Sequence, residues 1–282
     1  MILVTGATGT IGREVVRKLP ADLAVRLMAR DPARIAGAPP KAETVRGDYD
    51  DPQSLKRVLR GVSTVFLVTN RVGRDDDRRF IQTAWSAGVR HIVKLSAAAV
   101  ADSRAADMIT RWQRGNEELL RGSGMEWTLL RPRSFMSNAV SWAASIRSDN
   151  VVRALYGSSA NSSVDPRDIA EVAVRALTED GYEGRTLTLT GPEAITAAEQ
   201  TAQLSEVLGR PLRFEELGPE QARAELRGRY PDPIVEALLE SAERQREGAK
   251  VQVESTVPGL TGRPAGTFRR WAGDHLSAFV AG

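Results

Sequence analysis

The residues best placed to do chemistry form one turn, Gly6-Ala7-Thr8-Gly9-Thr10-Ile11-Gly12, with three glycines at three-residue spacing. They follow a short apolar run, Ile2-Leu3-Val4-Thr5, and lead into a helical pattern over Ile11–Leu19. Strand, glycine turn and helix in that order make an anion site. Glycines let the backbone turn tightly against a pyrophosphate, and the free amides of the helix start face it. The spacing is G-x-x-G-x-x-G, not the G-x-G-x-x-G of the dehydrogenase fingerprint, so the flanking strand and helix carry the reading. On it, Gly6, Thr8, Gly9, Thr10, Ile11 and Gly12 hold the phosphates of a dinucleotide. The plainer alternative is an ordinary strand–helix turn.

The end of the second strand chooses between NAD and NADP. An acid there hydrogen-bonds the ribose diol, whereas an arginine pairs with a 2′-phosphate. The sequence reads Met28-Ala29-Arg30-Asp31-Pro32, with Arg34 one turn on, and Arg30 stands eighteen residues beyond Gly12. Asp31, placed before Pro32, reads as a helix cap rather than a ribose ligand. NADP(H) is therefore the expected cofactor, with Arg30 and Arg34 near the 2′-phosphate, unless both arginines simply face solvent. After the third strand comes Gly47-Asp48-Tyr49-Asp50. Asp48 can accept a hydrogen bond from an adenine amino group, with Tyr49 flanking the ring. A turn and a cap would give the same residues.

These residues need a scaffold, and the chain supplies one. Short β-branched runs at Met1–Thr5, Ala24–Ala29, Glu43–Arg46, Val62–Val68, His91–Leu95 and Glu126–Arg131 alternate with helical patterns. The helices fall near Ile11–Leu19, Pro52–Leu59, Asp75–Ala87 and Ala105–Arg121. That alternation predicts an α/β fold: a Rossmann-type doubly wound parallel sheet with a smaller C-terminal α/β lobe. The expected division is residues 1–156 for the NADP-binding domain and 157–282 for a substrate lobe interleaved with the sheet. In the second half, Asp165-Pro166 opens a helix and Thr186–Thr190 alternates like a strand. Helices follow at Thr196–Leu208, Pro219–Arg227 and Pro233–Glu247.

Composition removes several kinds of chemistry. There is no cysteine, which excludes disulfides, thiol nucleophiles and thiolate metal sites. The two histidines, His91 and His275, are too few for a histidine-based metal centre. Lysine and arginine number 39 against 36 acids, a net charge of +3 with the signs interleaved, so no nucleic-acid surface is expected. No run reaches the roughly 18 apolar residues of a membrane span. A cytoplasmic protein with a small-molecule substrate is expected; the oligomeric state is open.

Together these residues resemble the NmrA-like family of atypical short-chain dehydrogenases. The resemblance rests on the Gly6–Gly12 turn, Arg30-Asp31-Pro32, Gly47-Asp48 with Asp51-Pro52, and Val89-Arg90-His91-Ile92-Val93-Lys94-Leu95-Ser96. It continues through Ser123–Pro132, Phe135-Met136-Ser137-Asn138 and Asp165–Ile169, nearly the whole chain. The family includes NADPH-dependent quinone and small-molecule reductases, and redox sensors that bind the dinucleotide without turning it over. The resemblance implies that Val68, Thr69, Asn70 and Arg71 lie along the nicotinamide side of the cofactor, Arg71 facing the substrate. It also implies that Phe135, Met136 and Asn138 line a substrate pocket, and that Ser96 stands where a catalytic serine often does.

One part of the usual machinery is missing. Carbonyl-reducing short-chain dehydrogenases protonate the alkoxide with a tyrosine whose pKa is lowered by a lysine one helical turn later. Four residues after Tyr49, Tyr156, Tyr182 and Tyr230 come Gln53, Ala160, Thr186 and Ile234, so no such pair exists. Trp112 and Asn116 stand near the vacated positions; neither is a practical proton source. Trp112 is either core, in spacing with Met108 and Leu119, or the wall of an aromatic pocket. Chemistry without a protein acid fits better: hydride transfer to a quinone or another conjugated acceptor, whose anion water can protonate. The expected function is an NADP(H)-dependent oxidoreductase acting on such an acceptor. A non-catalytic NADP(H) sensor and a biosynthetic tailoring reductase or epimerase are the alternatives.

Overall fold

The computed structural model describes residues 1–280. In chain order the elements are β1 (Ile2–Val4), α1 (Thr10–Lys18), β2 (Val25–Ala29), β3 (Glu43–Arg46), α2 (Pro52–Val58), β4 (Thr64–Leu67) and α3 (Asp76–Ser86). Next come β5 (His91–Leu95), α4 (Met108–Arg121), β6 (Glu126–Pro132), α5 (Ala143–Asp149), β7 (Val151–Leu155), α6 (Pro166–Thr178) and β8 (Arg185–Leu189). The chain ends with α7 (Ala197–Leu208), β9 (Arg213–Leu217), α8 (Pro219–Arg227), α9 (Asp232–Arg246), α10 (Thr256–Thr261) and α11 (Phe268–Asp274).

Two compact units result. The first comprises residues 1–101, 110–132 and 166–188; the second comprises, of the described residues, 102–109, 133–165 and 189–280. A single boundary at residue 156 does not describe this. The chain leaves the first unit after β6, then returns to it with α6, which packs on α1 through Lys18 and Glu171 (3.3 Å). It stays there for β8, the edge strand beside β6, where the Gly184 amide donates to the Trp127 carbonyl at 2.7 Å.

In the first unit the sheet order is β3-β2-β1-β4-β5-β6-β8, and β1 to β6 pair in parallel. This is the doubly wound order, in which ligands bind beyond the carboxyl ends of the strands where the order reverses, here between β1 and β4. Every residue of β1, β2 and β5 is buried, as strands covered on both faces must be. The proline start of α2 is held by Asp51, whose carboxylate accepts from the amides of Gln53 (3.0 Å) and Ser54 (3.1 Å). Leu3, Leu55, Val65, Phe80, Ile92 and Leu129 share one apolar cluster.

The second unit is built on a parallel pair, β7 with β9, around Ile146, Val152, Leu204, Phe268, Trp271 and Phe279. Its α7 opens on a reciprocal cap. Thr196 Oγ1 accepts from the Glu199 amide (3.1 Å), and the Glu199 carboxylate accepts from the Thr196 amide (2.8 Å). Neither β7, β9 nor α11 was expected from the sequence. Among the described residues, no helix is long and apolar enough to cross a membrane, and no cluster of side chains could hold a metal.

His91 at the start of β5 gives the first unit a pH limit. Its Nε2 lies 2.9 Å from Thr128 Oγ1, whose hydroxyl donates onward to the Tyr182 carbonyl at 2.7 Å, so the ring serves as a neutral donor. Burial pulls its pKa below the ordinary 6.5. The unfolded chain then binds this proton more readily, so stability is full above the unfolded value and is lost as pH falls through the folded one. Unfolding followed from pH 8 to 5 should show an acid limb with a slope of at most about 1.4 kcal/mol per pH unit from this group. His91→Gln should flatten it; an equal limb in the variant would assign it to other groups.

Candidate active site

The glycine turn has the geometry of a phosphate cradle. Gly6 takes φ +62°, a left-handed conformation that a side chain resists, and its carbonyl accepts from the Gly9 amide at 2.9 Å. A Cβ on Gly12 would overlap the Gly6 carbonyl oxygen, lying 2.7 Å from the carbonyl carbon and 3.0 Å from Ala7 Cα. Gly9 caps α1 with no side-chain bond, so the first amides of that helix are left for an anion. These are the residues a dinucleotide's pyrophosphate requires, and they fit it.

A cleft at the carboxyl ends of the strands gathers most of the residues read from the sequence. Gly6, Thr8 and Gly9 line it with Arg30, Asp48, Tyr49, Val68, Asn70 and Arg71. It adds Met28, Ala29 and Gly47, which the sequence did not single out as lining residues. Register explains the last of these: Ala29 is opposite Arg46, and the Gly47 amide donates to the Ala29 carbonyl at 3.0 Å. Thr10, Ile11 and Gly12 stand behind it in the first turn of α1, with Ile11 and Gly12 buried. Thr69 is buried away from the cleft wall, where its hydroxyl donates to Asp77 at 2.6 Å. Asp77 in turn pairs with the fully buried Lys94.

The charges divide sharply. Arg71 is spent: its Nε and Nη2 donate to both oxygens of buried Asp76 (2.7 and 2.5 Å), and Nη1 pairs with Asp50. Arg74 and Arg79 also reach Asp50, and Arg71 foremost among the three pulls that carboxyl down to about 2. Arg71 is therefore a neutralised wall rather than a free cation. Arg30 and Arg34, by contrast, are exposed and take part in no ion pair among the described residues. Asp31 caps the short turn that carries Arg34, accepting from the Ala33 amide at 3.2 Å. Asp48 has one oxygen on the Asp50 amide (3.0 Å), and Tyr49 donates its hydroxyl to the Val68 carbonyl (2.8 Å). Burial raises the Tyr49 pKa, which removes it further from acid–base work.

The three candidate catalytic side chains do not line this cleft. Ser96 is buried and donates to Glu117 Oε1 at 2.6 Å. Glu117 is fully buried and is clamped by Arg131 (2.9 and 2.6 Å) and Arg121 (3.2 Å). The serine thus belongs to a structural ion network. Trp112 is neither in the apolar cluster nor in the cleft: half-buried, it donates its indole N–H to the Arg74 carbonyl at 3.2 Å. Asn116 is buried with its Nδ2 unpaired. Of the residues expected around a substrate, Met136 is instead buried in the apolar cluster of the second unit. Phe135 is half-buried, bridged through its backbone to Val164, and Asn138 is exposed. Among the described residues, no tyrosine–lysine pair lines the cleft to protonate an alkoxide.

The comparisons agree with this geometry. A family described as NAD(P)H-binding matches residues 6–180. The chain is 58% identical over 280 residues to a (4-alkanoyl-5-oxo-2,5-dihydrofuran-3-yl)methyl phosphate reductase of Streptomyces griseus, covering 99% of each. It is 38% identical over 286 residues to an NAD(P)H azoreductase of Xenophilus azovorans, covering all of both chains. Its fold matches a quinone oxidoreductase of Escherichia coli solved with NADPH, at a TM-score of 0.85 and 26% identity over 98% of this chain and all of that one. The chain belongs to the NAD(P)H-binding family, among the NmrA-like atypical short-chain dehydrogenases, and is an NAD(P)H-dependent reductase.

Proposed function

We propose that this enzyme uses NADPH to reduce the ring carbon–carbon double bond of a (4-alkanoyl-5-oxo-2,5-dihydrofuran-3-yl)methyl phosphate. The observation that carries this is the 58% identity, spread over 99% of both chains, to a reductase of that substrate. The site chemistry supports it independently. The double bond is conjugated with two carbonyls, the lactone and the alkanoyl ketone. NADPH, when bound, would supply a hydride, which the carbon bearing the phosphomethyl group would accept as the π electrons move onto the neighbouring carbon between the two carbonyls. The resulting enolate is stabilised enough for water to protonate it. That is the reaction class a site without a tyrosine–lysine pair can run, because positioning and not acid catalysis lowers the barrier.

The chain's own part is then to bind and orient. The Gly6–Gly12 turn holds the pyrophosphate and Asp48 the adenine side. Arg30 and Arg34 receive the 2′-phosphate, because they are the charges here that no carboxylate has already taken. A quinone or azo compound, the acceptors of the other relatives, would accept hydride on the same terms.

Two measurements test this reading. NADPH consumption should be rapid with the alkanoyl butenolide phosphate and at least about 100-fold slower with the analogue lacking the alkanoyl carbonyl, which removes about 2.7 kcal/mol or more of anion stabilisation. Equal rates would mean that the second carbonyl is not used. For the cofactor, Arg30→Ala should cut the preference for NADPH over NADH about 10- to 100-fold, the size of one charge-assisted bond. An unchanged preference would place the 2′-phosphate elsewhere.

A further inference from the structure

The second unit holds a group of cations for which the reading so far has no use. Arg133 follows β6, Arg244 lies on α9 and Lys250 comes just beyond it. Arg133 donates through Nη1 to the Ala249 carbonyl at 3.1 Å, while its Nε is buried with no hydrogen-bond partner. Lys250 donates to Ser241 Oγ at 2.9 Å, and buried Ser162 fixes its backbone by donating N–H (3.0 Å) and Oγ (3.2 Å) to its carbonyl. Arg244 donates to the buried carboxylate of Asp107 at 2.7 Å. Neither Arg133 nor Lys250 has an ion-pair partner among the described residues.

Like charges gathered away from water repel one another, and among the described residues only Arg244 of the three has a carboxylate in ion-pair contact. Burial lowers the Lys250 pKa to about 8; Arg244 and Arg133 push the same way, and Asp107 alone opposes them. Burial lowers that of Arg133 as well, against the pull of Glu254 and Asp102. Two half-buried cations with no ion-pair partner among the described residues, fixed through backbone contacts, are what an incoming dianion requires. A phosphomonoester carries a charge of about −1.5 to −2 and three acceptor oxygens, matching an ammonium and a guanidinium with donors to spare.

We propose that Lys250 and Arg133, with Arg244 beside them, form the subsite that binds the phosphomonoester group of the substrate. This rests on the reading of that substrate as a phosphorylated butenolide. It also goes beyond it, since it assigns recognition of the phosphate to side chains of the second unit.

The test compares the butenolide phosphate with the same compound bearing a free hydroxymethyl group, using the full chain and NADPH. The wild type should favour the phosphate in kcat/KM, and Lys250→Met or Arg133→Met should cut that preference about 10- to 100-fold through KM. Lys250→Arg, which keeps the charge, should restore most of it. If both methionine variants keep the preference, the subsite is refuted and the reductase reading stands. If KM for NADPH rises by a similar factor instead, the cluster serves the cofactor's 2′-phosphate and the proposal fails. If the wild type reduces neither compound, the substrate reading fails, and binding of phenyl phosphate judges the subsite by itself. Calorimetry should then show about tenfold weaker binding to Lys250→Met, and carbon-13 spectra of the wild type should show phenyl phosphate raising the Lys250 pKa above about 8. Equal binding, or an unmoved pKa, overturns the proposal.

Discussion

Gly12→Ala is expected to weaken NADPH binding by at least about 100-fold, or 2.7 kcal/mol. The alanine Cβ would be driven into the Gly6 carbonyl, 2.7 Å from its carbon and 3.0 Å from Ala7 Cα, and these are backbone atoms that cannot rotate aside. Gly6 is itself held at φ +62° and bonded to the Gly9 amide, so relief must come from opening the turn. Opening it moves the free amides of α1 away from the pyrophosphate. The same overpacking should cost about 1–3 kcal/mol of stability. Two other glycines show that position, not residue type, decides. At Gly9 the added carbon meets only the Gly6 oxygen, at 3.3 Å, so a milder loss is expected. At Gly115 within α4 it meets nothing within 4 Å, and Gly115→Ala should stabilise by about 0.5–1 kcal/mol. Titration of NADPH fluorescence checks the series; wild-type affinity in Gly12→Ala would remove the phosphate cradle from the argument.

Glu117→Ala should destabilise the first unit strongly, costing about 3–5 kcal/mol and roughly 10 °C of melting temperature. Glu117 is fully buried and receives Ser96, both ends of the Arg131 guanidinium and Arg121. Removing it strands Arg131, whose side chain is only 13% exposed, as an uncompensated charge. Glu117→Gln keeps the shape and part of the bonding, so it should cost distinctly less. Ser96→Ala removes one neutral-to-charged bond and should cost about 1.5–3 kcal/mol of stability, without the 100- to 10,000-fold rate loss of a general acid. Urea unfolding of the three variants gives the order; a rate collapse in Ser96→Ala at wild-type stability would return the serine to the chemistry.

The parts of this protein that were legible in the sequence are those fixed locally. The glycine turn, the six strands from β1 to β6 and the Asp51-Pro52 helix start declare themselves over a few residues each. So did Arg30, because its place is counted from the turn. What was not legible depends on residues far apart. β7 and β9 are short, partly charged strands whose pairing depends on α7 and the loops between them. The sequence suggested a C-terminal lobe interleaved with the sheet, but not that α6 and β8 are the elements that return to it, because nothing local marks which helix and strand do so. Met136 has the same apolar character in a pocket as in a core, and only packing against Phe268 and Trp271 decides. Arg71 looks free until Asp50 and Asp76 are beside it. Lys250 and Arg133 are 117 residues apart and drew no notice until the fold brought them together.

Isotope transfer tests most directly whether this enzyme delivers hydride to a doubly activated carbon–carbon double bond and leaves protonation to water. The butenolide phosphate is reduced in ordinary water with NADPH deuterated at the transferring position of the nicotinamide, and the product is read by proton and deuterium NMR. The deuterium should appear on the ring carbon bearing the phosphomethyl group, in one configuration, with protium from solvent on the carbon between the two carbonyls. Deuterium on the former ketone carbon, as a secondary alcohol, would contradict this, as would tight NADPH binding with no transfer at all.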